Sequence, residues 1–220
     1  MINLLKTLLP IIKPNNKQSF LKKCGDNTTV LDIGCGNNSV ELIKQFLPNC
    51  YYIGVDIADY NLTSHSIIDE YILTSASEFN SAINSLRADI IICAHNIEHV
   101  DDPTGLLSAM ANALKPSGKL YLSTPCEDSV SFPKMSGTLN FFDDPTHSAN
   151  GPVSLDIMIA ELLNNGLILK KTVRRNRPFF SAVIGLINLP VALARKRVMP
   201  GIWELFGFET IIWAENPSQK

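Results

Sequence analysis

The chain of 220 residues is poor in charge and has no clustered cysteines, and each scarcity argues against a class of protein. Charged residues make up 18% of it, the net charge is -2 and the pI is near 6.1. A general nucleic-acid binder usually has a basic domain, so this balance argues against one. The five cysteines stand singly, with no C-x-x-C pair and no histidine spacing typical of zinc. We therefore expect reduced thiols in a cytoplasmic protein.

Internal repeats and low-complexity tracts are also lacking, and 45% of the residues are hydrophobic. This composition predicts a single globular domain over residues 1–220. In the N-terminal segment, residues 1–27, the opening MINLLKTLLPIIKP is interrupted by Lys6, Pro10 and Lys13 and lacks a small-residue cleavage site. We expect a short amphipathic helix there rather than a signal peptide.

No acid occurs between Glu161 and Glu204, a stretch that contains an apolar and basic insertion at about 174–200. Its apolar run, FFSAVIGLINLPVALA, is near the lower length limit for a membrane span and contains an asparagine and a proline, so we do not expect it to cross a bilayer. With bases on both sides, residues 179–197 can lie in the interface at the inner face of a membrane. A lid over the active site and the surface of a homodimer are the alternatives.

Short apolar runs alternate with helix-patterned segments along most of the chain. Strands are expected at 29–33, 51–55, 70–73, 89–93 and 119–123, and helices at 39–47, 77–86, 103–114 and 153–163. Continuous apolar runs are typical of parallel strands that helices cover on both faces. The pattern therefore predicts an α/β fold with a parallel sheet.

The sharpest local signal is VLDIGCGNNS, residues 30–39. Gly34 and Gly36 follow the first predicted strand at its carboxyl end, where ligands of open α/β sheets bind. Glycine lets the backbone approach a ligand and permits positive φ. Asp56 ends the second predicted strand, where an acid can accept hydrogen bonds from two ribose hydroxyls. Together these residues predict a cofactor that contains a nucleoside.

Two such cofactors compete at this point. A nicotinamide dinucleotide usually requires G-x-G-x-x-G, whose third glycine would fall at position 39, where this chain has Ser39. S-adenosylmethionine has no phosphate and presents an amino acid instead, for whose cation Asp32 is a suitable partner. A nicotinamide-dependent oxidoreductase is therefore disfavoured.

Four ordered stretches of residues 28–169 resemble the motifs of the class I S-adenosylmethionine-dependent methyltransferases: VLDIGCGNNS, VDI at 55–57, ADIIICAHNIEHVDDP and ALKPSGKLYLSTP. The resemblance implies a Rossmann-like doubly wound seven-stranded sheet, mostly parallel with an antiparallel C-terminal strand, and S-adenosyl-L-methionine as cofactor. The cofactor-binding residues that it implies are Asp32, Gly34, Cys35, Gly36, Asp56, Ile57, Ser75, Ala76, Ala94, His95 and Asn96. The family often has a glycine where this chain has Asn38, although asparagine tolerates left-handed φ. It also often has an aspartate where this chain has Ser75.

The segment LNFFDDPTHSANGP, residues 139–152, has turn-forming dipeptides and follows the fifth predicted strand, so we expect it at the carboxyl edge of the sheet. With the helix after it, this segment resembles a subgroup of these enzymes from bacterial surface-polysaccharide and related glycan gene sets. That resemblance implies O-methylation of a sugar or glycan-linked small molecule. We expect His147 as general base, with Asp143 or Asp144 orienting it. Either acid can instead bind sugar hydroxyls or a divalent ion. The residues expected to line the acceptor are His99, Phe141, Asp143 and Thr146, with Glu98 orienting His99 or the loop after the fourth strand.

Other functions stay open on the sequence alone. The apolar insertion would suit a lipid-like or quinone-type acceptor. A non-catalytic S-adenosylmethionine-binding protein is consistent with the departures at Asn38 and Ser75. In segment 139–152, His147 and Thr146 can also simply cap the following turn while the acids are solvated. No metal site is assigned.

Overall fold

Seven strands form one sheet in the computed structural model, which describes residues 14–218. Their order is β3-β2-β1-β4-β5-β7-β6, and only β7 runs antiparallel to its neighbours. The strands are β1 Thr29–Ile33, β2 Tyr51–Asp56, β3 Glu70–Leu73, β4 Ala88–Ala94, β5 Leu114–Pro125, β6 Ile168–Val173 and β7 Glu209–Glu215. The expected doubly wound sheet with an antiparallel C-terminal strand is confirmed.

Helices cover both faces of this sheet. They are α1 Lys17–Leu21, α2 Ser39–Phe46, α3 Phe79–Asn84, α4 Pro103–Ala113, α5 Leu155–Asn164, α6 Phe179–Arg195 and α7 Ile202–Phe206. Side chains of α3, α4 and α5 pack on one face, where Leu31 and Ile33 point, and those of α1 and α2 pack on the other, together with Val30. The alternation of neighbours along β1 follows from the two-residue period of a strand.

Most element bounds agree with the sequence prediction to within two residues, because local signals fix them. Helix α4 begins at Pro103, and the Asp102 side chain accepts from the backbone N–H of Gly105 at 2.9 Å, as an N-cap residue does. Strand β5 differs, since it begins at Leu114 and includes the KPSGK stretch that was expected as a break. Its register on β4 shifts between Ala88 and Ile90, and Ser117 has a φ of 63°. The extra residues of the stretch are therefore accommodated as an irregularity of the strand.

The expected insertion at about 174–200 contains α6, which packs with α7 on a third, smaller apolar cluster that includes Met135, Ala192 and Phe208. Within residues 14–218, no helix has the length and apolarity that crossing a membrane requires. The expected N-terminal amphipathic helix falls in residues 1–13, which lie outside the described part. Helix α1 follows that segment. All five thiols are unpaired, as predicted.

The order of the strands reverses between β1 and β4, which lie side by side and parallel although two other strands separate them along the chain. In doubly wound sheets such a switch point opens a crevice at the carboxyl ends of the strands, where ligands bind. The loops after β1, β2 and β4 meet at this crevice. It positions the candidate site.

Candidate functional site

The loop after β1 is shaped by a close contact with the loop after β4. Gly34 has a φ of 70°, and its N–H donates to the carbonyl of Val55 at 2.9 Å. A Cβ at this position would lie 2.3 Å from Nδ2 of Asn96, a distance that real atoms do not tolerate. Glycine is therefore required here on two grounds, the backbone conformation and the approach of Asn96.

Asn38 stands where the methyltransferase family often has a glycine, and it adopts the backbone conformation of that glycine. Its φ is 55°, in the left-handed region, which confirms the expected tolerance of asparagine. Its Oδ1 accepts from the N–H of Thr63 at 2.7 Å, and its Nδ2 donates to Oγ1 of Thr63 at 2.8 Å. A glycine could not make these bonds. Asn38 therefore ties the glycine loop to the segment that follows β2.

Asp56 presents a fixed carboxylate at the end of β2. It is 9% exposed, and its two oxygens accept from the N–H of Gly36 at 3.2 Å and of Ile57 at 2.8 Å. A carboxylate has about four acceptor positions, so each oxygen retains capacity for a ligand hydroxyl. Ile57 beside it is 55% exposed. This arrangement suits the two hydroxyls of a ribose.

Asp32 lies deeper than the other predicted cofactor residues. It is 2% exposed, and the hydroxyl of Tyr52 donates to its Oδ2 at 2.6 Å. Burial raises the pKa of this carboxyl, while the charge of Lys17 opposes the rise. Nζ of Lys17 donates to Oγ of Ser39 at 2.9 Å. Sequence reasoning missed Lys17, because it reaches the loop from a helix outside the motif.

At the end of β3, Ser75 and Ala76 are exposed, as expected for residues beside an adenine. The family's aspartate is absent at Ser75, but Oγ of Ser75 donates to Oε2 of Glu78 at 2.7 Å. A carboxylate therefore stands next to the position where the motif usually has one. The acid three residues after Ser75 is visible in the sequence, but it lies outside the position at which the motif has its aspartate.

The end of β4 divides its polar groups between two environments. Ala94 is half-buried beside the crevice, and the Oδ1 of Asn96 is buried next to Gly34 with no hydrogen-bond partner among the described residues. The ring of His95 points instead to Glu98 Oε1 at 3.2 Å and to Glu209 Oε1 at 2.9 Å. Of the predicted trio, Asn96 therefore offers an unused acceptor to a ligand, and the His95 side chain is engaged elsewhere.

His95 is a charged group in an ion triad. Burial opposes its charge, but hydrogen bonds with Glu209 and Glu98 raise its pKa to about 10. Its φ is 54°, and its ring stacks on Phe208 with centroids 6.2 Å apart. The triad links the end of β4 to β7 and is one reason why the loop after β4 holds its conformation.

The segment 139–152 closes on this same loop. The N–H of Ser148 donates to the carbonyl of Glu98 at 2.9 Å, and the rings of His99 and His147 lie with centroids 4.7 Å apart. The expected position of the segment at the carboxyl edge of the sheet, next to the loop after β4, agrees with the structure. The two histidines stand three and fifty-one residues beyond Asn96, and the fold brings them together.

Hydrogen bonding fixes the proton of His147. Its Nδ1 lies 2.6 Å from the carbonyl of Phe141, which can only accept, so Nδ1 carries the proton and Nε2 keeps its lone pair. Phe141 is fully buried against the ring, with centroids 4.5 Å apart, so it supports His147 rather than lining an open site. Phe142, at 49% exposure, is the aromatic residue that faces solvent.

The two acids of the segment have different partners from those expected. Oδ2 of Asp143 accepts from three backbone N–H groups, those of Met135, Leu139 and Asn140, and thereby shapes the loop. Oδ1 of Asp144 accepts from the N–H and the hydroxyl of Thr146, which hold its pKa below the usual range against the effect of partial burial. The carbonyl of Phe141 therefore orients His147, because the carboxylates of Asp143 and Asp144 have other partners.

Thr146 orients the other histidine, His99. Because its hydroxyl donates to Asp144, its Oγ1 can only accept from Nδ1 of His99, 3.0 Å away. His99 is therefore held in the same tautomer as His147, with Nε2 as the free acceptor. Glu98 does not orient it, since its Oε1 contacts His95 and its Oε2 accepts from Oγ1 of Thr124 at 3.2 Å.

Among residues 14–218, one cluster could hold a metal ion: one ligand atom each of Glu98, His99 and His147 lies within 4.8 Å of the others. The carboxylate of Glu98 also contacts His95 and Thr124. Zinc binds nitrogen and oxygen ligands of these types at about 2.0–2.2 Å.

Comparison with known proteins gives the family. A family model described as "Methyltransferase domain" matches residues 6–171. Two curated relatives are similar over part of the chain, and both are named ubiquinone biosynthesis O-methyltransferase. The one from Hydrogenovibrio crunogenus is 33% identical over 108 residues, 45% of this chain and 43% of the relative. The one from Leptothrix cholodnii is 30% identical over 118 residues, 49% of this chain and 48% of the relative. The chain thus spans less than half the length of these relatives.

Solved structures agree on the fold. A SAM-dependent methyltransferase from Archaeoglobus fulgidus superposes with a TM-score of 0.57 at 22% identity. The superposition covers 98% of this chain and 95% of the Archaeoglobus chain. An O-methyltransferase family protein from Burkholderia thailandensis gives a TM-score of 0.61 at 13% identity, over 100% of this chain and 59% of its own.

Proposed function

Because the chain belongs to the methyltransferase domain family, we propose that it transfers the methyl group of S-adenosylmethionine to a hydroxyl of a small quinone-type acceptor. The observation that carries the proposal is the unpartnered Oδ1 of Asn96, whose side chain lies against Gly34. The carboxylate of Asp56 accepts from Gly36 of the same glycine loop, and the His99–His147 pair follows Asn96 on the loop after β4. These groups combine a nucleoside site, an acceptor for a cation and a base in one crevice.

The residues of the crevice fit the cofactor. Gly34 and Gly36 leave the backbone bare, Asn96 supplies a buried acceptor suited to the ammonium of the methionine part, and Asp56 supplies one suited to the ribose hydroxyls. Ile57, Ser75 and Ala76 are exposed on the side where the adenine would lie. When bound, the cofactor supplies an electrophilic methyl group on its sulfonium.

The protein's own contribution to the reaction is to remove the proton of the acceptor hydroxyl. Nε2 of His147 holds a lone pair, because Nδ1 donates to the carbonyl of Phe141. Nε2 of His99 stands beside it as a second acceptor that can hold the hydroxyl in place. His147 would take the proton of the acceptor hydroxyl as the oxygen attacks the methyl group that a bound cofactor would supply.

A phenolic hydroxyl of a quinone precursor is the acceptor class that we infer. The curated relatives are named for ubiquinone biosynthesis, and the exposed ring of Phe142, which packs edge-on against Phe141, is suited to an aromatic acceptor. A phenol also loses its proton more readily than a sugar hydroxyl does. An imidazole is a strong enough base to accept the proton of the phenol.

The test is methyl transfer from isotopically labelled S-adenosylmethionine to a panel of catechols with short alkyl tails and of sugars and sugar nucleotides. Labelled methyl ether is expected from the catechols. Label transferred only to the sugars would replace the acceptor class, whereas intact cofactor binding with no transfer to either set would favour a non-catalytic cofactor-binding protein.

The role of His147 is tested by His147→Asn. The asparagine amide can still donate to the carbonyl of Phe141, but it has no basic nitrogen, so kcat should fall about 10²- to 10⁴-fold while cofactor binding is unchanged. His65→Asn is the matched control, because His65 is half-exposed and pairs with Asp59 away from the pair. Unchanged kcat in His147→Asn would remove the residue from the mechanism. Turnover that EDTA abolishes and zinc restores would replace the base with a metal at the Glu98 cluster.

A further inference from the structure

Helix α6, Phe179–Arg195, has the reverse of the pattern that a surface helix of a globular protein usually shows. The residues that face the body are small: Ser181, Gly185 and Ala192 are buried. The opposite face is made of large apolar side chains, each 40 to 74% exposed: Phe179, Phe180, Val183, Ile184, Leu186, Ile187, Val191 and Leu193. Isolated exposed apolar residues are ordinary, but a contiguous face of this size marks an interaction surface.

The orientation of α6 is fixed by contacts between backbones. A Cβ on Gly185 would lie 2.1 Å from the carbonyl oxygen of Gly201, so the helix touches the turn before α7 without any side chain between them. Nδ2 of Asn188 donates to the carbonyl of Pro200 at 2.9 Å on the same side. Because the small face alone fits this contact, the helix cannot roll to bury its large side chains. The apolar face is therefore directed outward by the fold itself.

Basic side chains border one end of this face. Arg195, Lys196 and Arg197 are all exposed, and none of them is in an ion pair within residues 14–218. A pocket of about 210 Å³ opens between Arg195, Arg197 and Pro200. At the other end, Arg174 and Arg175 pair with acids of neighbouring segments, and the exposed Arg177 donates to the carbonyl of Phe206. Of the four bordering cations without an acid partner among the described residues, three lie beside the C-terminal end of the apolar face.

We propose that the exposed face of residues 179–193, together with residues 195–197, docks on an anionic lipid bilayer. We call it the apolar-basic surface. An apolar helix face enters the interface between headgroups and acyl chains, and the adjacent cations bind lipid phosphates. The helix lies in the plane of the interface, because it is too short and too interrupted to cross.

A second copy of the chain fits the same surface less well. In a two-fold pair the same patch meets itself, so each basic end would meet either its own copy or the arginines that precede α6. The sequence supplies no acid between Glu161 and Glu204 to answer that charge. A bilayer with anionic lipid supplies both the apolar phase and the counter-charge.

The test is flotation of the full chain with vesicles of phosphatidylcholine alone and of phosphatidylcholine with a third of the lipid as phosphatidylglycerol. We expect binding to the anionic vesicles that weakens at high salt. The triple variant R195Q/K196Q/R197Q should bind about 100-fold more weakly, since each cation near an anionic surface contributes roughly fivefold. Binding of the variant equal to that of the native chain would overturn the electrostatic part of the proposal.

The apolar part is tested by the double variant Leu186→Gln/Ile187→Gln. Its matched control is Leu163→Gln/Ile157→Gln, which changes the same residue types at 51% exposure on α5. The first pair should lose flotation at least tenfold and the control pair should retain it, with both variants unfolding at the same urea concentration as the native chain. Equal flotation of the two pairs would overturn the proposal.

Two further outcomes would replace the lipid with another occupant. A dimer in sedimentation velocity that Leu186→Gln/Ile187→Gln abolishes, without flotation of the native chain, would assign the surface to a second copy. Flotation only after removal of residues 1–13 would assign it to that segment. None of these measurements involves cofactor or acceptor, so their outcome is independent of the proposed methyl transfer.

Discussion

Replacing His95 with glutamine should remove most of a pH-dependent contribution to the stability of this protein. The imidazolium of His95 lies between Glu98 and Glu209, and its pKa is about 10 in the folded chain against about 6.5 in an unfolded one. Between these two values the folded state binds a proton that the unfolded state has released. The free energy of unfolding should therefore fall as the pH rises from about 6.5 to about 10, and the full contribution should be present below pH 6.5.

The size of the effect follows from the shift. A difference of about 3.5 pKa units corresponds to about 5 kcal/mol, at about 1.36 kcal/mol per unit. The side chain is 27% exposed, so water screens the triad and this figure is a ceiling. We expect about 2 kcal/mol.

Urea unfolding followed by tryptophan fluorescence at pH 6, 7, 8, 9 and 10 measures the effect. The difference in free energy of unfolding between the native chain and His95→Gln should shrink by about 2 kcal/mol across this series, because glutamine cannot be charged. His65→Gln, a change at a half-exposed histidine with a single carboxylate partner, is the control and should leave the slope unchanged. If His95→Gln has the same pH dependence as the native chain, the histidine is not charged in the folded state and the triad argument fails.

Other predictions concern the cofactor loop. Asp56→Ala should weaken S-adenosylmethionine binding about 100-fold by calorimetry, since two hydrogen bonds to a charged group contribute about 1.5 kcal/mol each; Asp59→Ala is the control, and equal affinity in the two variants would exclude Asp56 from the ribose site. Gly34→Ala should cost about 3 kcal/mol of stability in urea unfolding, from left-handed strain and displacement of Asn96, and an unchanged midpoint would contradict the contact geometry. Asn38→Ala should be about 1 kcal/mol less stable than Asn38→Gly, because alanine alone is strained at a φ of 55°; the opposite order would contradict the left-handed assignment.

The sheet and the glycine loop could be predicted from the sequence because their signals are local. Strands β1, β2 and β4 are largely apolar runs, and Gly34, Asn38 and Asp56 lie within one βαβ unit. The position of segment 139–152 also followed from chain order, since segments after a parallel strand emerge at the carboxyl edge of the sheet. These features depend on periodicity and turn chemistry, which a sequence carries directly.

The partners of the polar side chains could not be predicted, because they come from distant parts of the chain. His95 is engaged by Glu209, which is 114 residues away, and Lys17 reaches Ser39 from a helix that belongs to no motif. The adjacent Asp143 and Asp144 read alike in sequence, yet one binds backbone and the other orients His99 through Thr146. Only the three-dimensional arrangement separates such roles. The acceptor that we propose likewise differs from the sugar that the resemblance of segment 139–152 implied.

The contact between Gly185 and Gly201 separates what holds helix α6 in place from what it displays. Backbone atoms seat the helix, so its eight large outward side chains contribute little to folding and can be exchanged together. A chain with this face rewritten in glutamine, lysine and serine should fold as before and stay dispersed at high concentration. This variant would suit crystallisation and titration. The native chain would be needed for experiments on the apolar-basic surface.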